Sequence, residues 1–187
     1  MKRVFLLQLV VIAAIWGTAL YPQASLMRAM NLGELVALSD AIVVGKVVSH
    51  NAAWDLQHRR IISSIEVDIE ESWKGPGVEN RRITIVEPGG TVGDIEMTVH
   101  GMPRFSVGEK SLLFLQGQRH FQVVGMGQGK RALAWDDPRK QWLVEPPDTE
   151  GVVEVGPGAK LRQAKRREPV PLNDLREQVR RAIASPP

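Results

Sequence analysis

The side chains able to do chemistry are few and scattered along this sequence. Four histidines, His50, His58, His100 and His120, are the first to weigh. None stands four residues from another, the helical spacing that sets two imidazoles on one metal. His50 and His58 flank one polar stretch and could meet across a hairpin, but both read more simply as solvated loop residues. His100 and His120 end two β-type runs. With nearby carboxylates they define one alternative function, a metal-dependent hydrolase, which requires their side chains to converge in one concave pocket.

Carboxylates give a second set of candidates. Glu66, Asp68 and Glu70 alternate with Ile65, Val67 and Ile69. Three acids along one strand face suit a hard cation such as calcium. The same spacing is the wet side of a half-buried strand, with Arg60, Arg81 and Arg82 as cross-strand partners, and that reading is preferred. Asp136-Asp137 is a carboxylate pair in a turn, where exposure denies it the shifted ionisation that acid–base catalysis needs. The run from Gly125 to Arg131 looks like a phosphate loop, but Val124 and Arg131 stand where glycine and a hydroxyl residue are required, and a strand follows rather than a helix. Ser63, Ser64, Ser106 and Ser111 lack a nucleophile elbow. There is no cysteine, hence no thiol nucleophile, thiolate metal site or disulfide. We assign no catalytic residue, no metal and no cofactor from the sequence, and the balance leans away from an enzyme.

These residues must be positioned by a β-rich chain. Ala41 to Val48 is a β-branched run with Gly45 inside it, which implies a bulge or a close backbone approach. His50 to Arg59 is polar and reads as a hairpin loop carrying Trp54. Arg60 to Trp73 alternates, with one face buried and one wet. Further strands are expected at Arg82–Val86, Asp94–His100, Ser111–Leu115 and Phe121–Val124, with a hairpin of Arg131–Trp135 and Gln141–Val144. The nearly unbroken apolar run at Ser111–Leu115 marks a central strand. Asn31 and Glu34 form a capping-box pattern ahead of a short helix ending near Leu38. Leu172, Leu175, Val179 and Ile183 recur at helical spacing, giving an amphipathic helix from about Asp174 to Ala184 with Asn173 as its cap.

The chain is therefore expected to be mainly β, a small OB-like barrel or a sandwich, with a short N-terminal helix and a C-terminal amphipathic helix. Its divisions are 1–24, a signal peptide; 31–145, the β-barrel domain; 146–171, a loop and basic linker; and 172–187, the C-terminal helix. The leader reading rests on Lys2-Arg3 followed by an apolar run to Ala19 and small residues at Ala19 and Ala24. Cleavage after Ala24 is preferred over Ala19, and a retained membrane anchor is the rival. Removing Lys2 and Arg3 from the 24 basic residues leaves 22 against 21 acidic ones. A charge that close to neutral gives no electrostatic case for nucleic acid.

Three blocks carry a family resemblance. They are Ser39-Asp40-Ala41-Ile42-Val43-Val44-Gly45-Lys46-Val47, then Trp73-Lys74-Gly75, then Gly101-x-Pro103-x-Phe105-x-x-Gly108-Glu109-Lys110-x-Leu112-Leu113-Phe114-Leu115. In that order, over roughly Leu32 to Val144, they resemble a family of uncharacterised exported bacterial proteins, which brings no activity with it. More distantly the order is similar to the OB-type barrels of netrin-like and metalloproteinase-inhibitor domains. Those inhibitors act through an N-terminal cysteine and disulfides, so without cysteine their mechanism does not carry over.

The resulting expectation is an exported, non-catalytic, envelope-associated binding module. Its partner would be an extracytoplasmic protein or polysaccharide, with no nucleic acid, and with membrane contact only through an uncleaved leader. Trp54 and His58 are the candidate binding residues, because tryptophan in a loop is a common interface anchor. A protease-inhibitor-like module is the other alternative. The basic run Lys160, Arg162, Lys165, Arg166 and Arg167 reads as a solvated linker.

Overall fold

The computed structural model describes residues 27–75, 81–147, 152–155, 161–163 and 168–185. The expected signal peptide and most of the basic run lie outside the described residues. In chain order the elements are β1 (Met27–Arg28), α1 (Leu32–Leu38), β2 (Ala41–Trp54), β3 (Ile61–Lys74), β4 (Arg82–Pro88), β5 (Gly90–Val92), β6 (Ile95–Met97), β7 (Lys110–Gly117) and β8 (Phe121–Val123). A 3-10 turn (Met126–Gly129) comes next, then β9 (Lys130–Asp136), β10 (Gln141–Val144), β11 (Val152–Val155), β12 (Leu161–Gln163), β13 (Val170–Pro171) and α2 (Leu172–Ala184).

The main sheet runs β13-β10-β9-β7-β2-β3-β4-β8. Because β8 also pairs with β7, the strands β2, β3, β4, β8 and β7 close into a five-stranded barrel. Within it β4 and β8 run parallel and the other neighbours antiparallel. The small β-barrel with a helix toward each end is thus as the strand pattern implied.

Two hydrophobic cores share one wall. Val43, Val47, Ile65, Val67, Ile83, Ile85, Leu113, Leu115 and Val123 fill the barrel. Ile42, Val44, Leu112 and Phe114 point the other way and are covered by α1, α2, β9 and β10 through Leu35, Val36, Leu133, Val144, Leu172, Leu175 and Val179. So residues 41–45 of β2 and 111–115 of β7 are buried on both faces, which is why these stretches read as continuous apolar runs. Gly45 is required in that wall. A Cβ there would lie 2.6 Å from a Val67 methyl and 2.8 Å from the Asp68 carbonyl oxygen.

The three recognisable blocks all do structural work. The Lys74 ammonium donates to the Val36 carbonyl at 2.7 Å, tying α1 to the end of β3. Trp73 packs on the outer core, and the Arg176 guanidinium lies 5.5 Å from its ring while bonding Glu71 at 2.5 Å. Gly75 turns the chain at φ +99° with Asp40 O only 2.7 Å from where its Cβ would be. Ser39 Oγ donates to Leu35 O at the end of α1, and Asp40 accepts from Gly117 N at 2.8 Å. Glu109 accepts from Ser106 N and Ser111 Oγ and pairs with Lys130, which fixes the loop entering β7.

Local differences from the sequence expectation have physical reasons. Strand β2 continues through Ser49–Trp54, so the loop is only the tip of the hairpin. The expected strand Asp94–His100 is reduced to β6, paired with β5 in a separate small hairpin, and Ile95 is exposed. Gly89 and Gly90 both take positive φ there and turn the chain off the barrel. Asn173 does not cap α2. The helix starts earlier, with Pro171 at the cap position and Leu172 in the core, and Asn173 accepts from Arg176 instead. The 146–171 segment contains β11 and β12, which join β1 in a three-stranded sheet.

Candidate functional site

The arm of the β2–β3 hairpin carries the aromatic candidates. Each strand spans 14 residues, and β7 accompanies β2 only as far as Lys46. Trp54 closes β2 and is half-buried. Its ring stacks on His58 with centroids 6.3 Å apart and planes at 28°.

Asp55 organises the tip. Its carboxylate accepts from Arg59 N at 2.8 Å and from the Arg60 guanidinium, while Asp55 N donates to Arg60 O and His58 N to Asp55 O. The Arg59 amide, more than the Arg60 contacts, holds the Asp55 carboxyl below the usual range. His58 takes φ +51°, a left-handed conformation that this turn imposes on a residue with a side chain. Leu56 beside it is 99% exposed.

His50 and His58 do not share a site. His50 places Nε2 3.0 Å from Ser63 Oγ and Nδ1 3.2 Å from the Phe105 carbonyl oxygen. A serine and histidine in contact, with the far ring nitrogen held by a carbonyl, have the composition of a nucleophile–base pair. Here Ser63 is buried and its hydroxyl also lies 2.8 Å from Gly89 O. The cluster therefore ties β2, β3 and the segments at Gly89 and Phe105 together.

Glu87 occupies the inner face of β4. It continues the alternation of Ile83 and Ile85 and stands opposite Ser63 in the β3–β4 register. It is 4% exposed, and its carboxylate accepts from Val123 N at 2.7 Å. Burial drives its pKa up to about 7, and the Val123 hydrogen bond offsets only part of this. The period of two that puts Ile83 and Ile85 inside also puts Glu87 inside, so this acid was open to sequence reading.

Gln128 had no such signal. It is buried in the 3-10 turn, where it accepts from Met30 N at 2.8 Å and donates to Arg28 O at 3.1 Å. The glycine-rich stretch around it is a docking turn for the chain at Arg28–Met30, with no phosphate-loop geometry.

The remaining candidates are paired. Asp68 takes a two-pronged contact from Arg82, which holds its carboxyl below the usual range. Glu66 accepts from Ser49 and lies near Arg82, and Glu70 meets Lys110 at 2.5 Å. Arg82 is thus one of the expected cross-strand partners, while Arg60 serves Asp55. Asp136 pairs with Arg139 and Asp137 with Lys140 across the β9–β10 turn. His100 precedes the turn at Gly101, and His120 lies between β7 and β8. Among the described residues no three metal-ligating side chains come together, and no helix is long and apolar enough to cross a membrane. Comparison with protein-family models and with curated proteins found no match for the chain.

Proposed function

We propose that this chain is an exported, non-catalytic binding module of the cell envelope whose ligand is an extracytoplasmic protein or polysaccharide. The observation that carries this reading is the Trp54–His58 stack, held on a hydrogen-bonded tip at the end of a long hairpin. An aromatic platform on a rigid support binds at low entropic cost, because little has to be ordered on contact.

The barrel order supports an OB-like reading. Counting barrel strands along the chain, the neighbours run first, second, third, fifth, fourth and back to the first. In OB barrels the loop between the first two strands takes part in binding oligosaccharides and oligonucleotides. Here that loop is the tip at residues 55–60. The near-neutral charge favours a protein or a sugar polymer over nucleic acid. Kinship with the exported family of the three sequence blocks belongs to the same proposal.

The full chain, immobilised and presented with envelope polysaccharides and secreted proteins, is expected to retain a ligand. Trp54→Ala should weaken that ligand by about tenfold or more, the range of an aromatic anchor. Retention unchanged in both Trp54→Ala and His58→Ala would refute the site. Export predicts a mature chain shorter by roughly 2 kDa on immunoblots, the mass of a cleaved leader. A full-length band confined to the membrane pellet would contradict it.

A further inference from the structure

The hairpin arm leaves one strand edge open. Ile61 O accepts from Gly89 N and Ile69 N donates to Arg81 O, so the odd residues of β3 turn their main chain toward β4. The even residues Ile62 and Ser64 then bond β2 through Ala53 and Asn51. His50, Ala52 and Trp54 consequently direct their N–H and C=O groups away from β3. On that side the β7 ladder ends at Lys46, and the last contacts are between Val47 and the turn at Gly108-Glu109. Among the described residues no main-chain hydrogen bond reaches His50, Ala52 or Trp54 from there.

Natural edges are guarded by lysine, other charges or proline. The stretch Ser49-His50-Asn51-Ala52-Ala53-Trp54 contains no lysine, arginine, acid or proline. Strand β7 begins only at Lys110, after the turn that bonds Val47, so the strand beyond Val47 has no partner on this side among the described residues. At one end of this edge stands Leu56, and at the other Val107, 65% exposed in the turn that bonds Val47.

We infer that two copies of this chain pair edge to edge, antiparallel, about a two-fold axis at Ala52. Ala52 meets its own counterpart through two main-chain hydrogen bonds. His50 faces the partner subunit's Trp54, and small uncharged residues fill the remaining positions. Leu56 then falls opposite the Val48 region of the other copy, beside Val107, so the two most exposed large hydrophobic side chains among the described residues cover each other. A two-fold contact demands this kind of self-complementarity. The paired stretch is short, about 17 Å for five residues. Its interface lies below about 1,200 Å², so the association is reversible and depends on concentration. This inference does not rest on a ligand at the Trp54–His58 stack, although Trp54 belongs to both surfaces, and a failure to find a ligand leaves it untouched.

The test is sedimentation equilibrium of the full chain from about 1 μM to about 500 μM, a range that spans weak association. A dimer is expected at the upper end. Leu56→Asp, at a fully exposed position, and Ala52→Pro, which removes an edge donor unused by the fold, should each raise the dissociation constant about tenfold or more. Far-UV circular dichroism should be unchanged in both, and Leu56→Asp carries the test if the proline variant misfolds. The chain is free of cysteine, so N51C with A53C should oxidise to a covalent dimer if the register is right. A monomer throughout the range would overturn the inference. A dimer indifferent to Leu56→Asp, or one that N51C with A53C does not cross-link, would overturn it as well.

Discussion

Glu87→Gln is expected to stabilise the domain at and above neutral pH and to remove a pH dependence from it. Glu87 is a carboxyl group in the barrel interior, with its pKa raised from 4.5 to about 7. Between those two values the folded protein holds a proton that the unfolded chain has released. Stability therefore falls as pH rises through that window, and the loss is complete above about 7. At about 1.4 kcal/mol per pKa unit, the loss is on the order of 3 kcal/mol. Glutamine does not ionise, and its carbonyl can still accept from Val123 N. Urea denaturation at several pH values should show the wild-type midpoint dropping toward neutrality while the Glu87→Gln midpoint stays level. Parallel curves would mean that Glu87 keeps its charge inside, against the burial argument. Glu87→Ala should behave differently. It leaves Val123 N–H buried without an acceptor and costs about 1–3 kcal/mol even in acid.

The larger loss is expected from Phe114→Ala. Phe114 is fully buried on the outer face of β7, in the core that β2 and β7 share with α1 and α2. Removing a buried phenylalanine costs about 3–5 kcal/mol through lost transfer energy and the cavity left behind. Domains of this kind are stable by about 5–15 kcal/mol in all, so a large fraction is at stake. The barrel interior is not touched by this change, because Leu113 and Leu115 line it instead. Amides of α1 and α2 should therefore lose hydrogen-exchange protection more than those of β3 and β4. A loss under about 1 kcal/mol would show that the helices pack on the wall without depending on it. Leu38→Ala, at a largely exposed site on α1, is the control and should change little.

Much of this architecture was legible residue by residue. Alternation in Ile65–Glu70 placed the buried and wet faces of β3, and the continuous run at Ser111–Leu115 marked β7 as a strand covered on both sides. Asn31 and Glu34 announced α1 through their reciprocal hydrogen bonds. The features that escaped depend on contacts between distant segments. Nothing local distinguishes Ser49–Trp54 from a polar loop, because its strand state comes from pairing with Ile61–Glu66. The chain turns at Gly89 and Gly90, both at positive φ, and β6 then pairs with β5. The contact between His50 and Ser63 comes from the β2–β3 register, which bulges shift and no single-strand pattern encodes. Gln128 looks like one more polar residue among glycines until its partners at Arg28 and Met30 are in place.

Those last contacts also bear on the order in which the chain can fold. Gln128 holds Arg28 and Met30 from 98 to 100 positions away, and β1 pairs with β11 still further along. Wall strand β2 waits for β7, and the packing of α1 waits for α2 near the C-terminus. A chain growing from its N-terminus can thus close the barrel only once β7 and β8 are made, and can cover the outer face of the wall only when α2 near the C-terminus follows. Such non-local closure makes for slow folding. It also leaves the apolar outer face of β2 and β7 uncovered until α2 arrives.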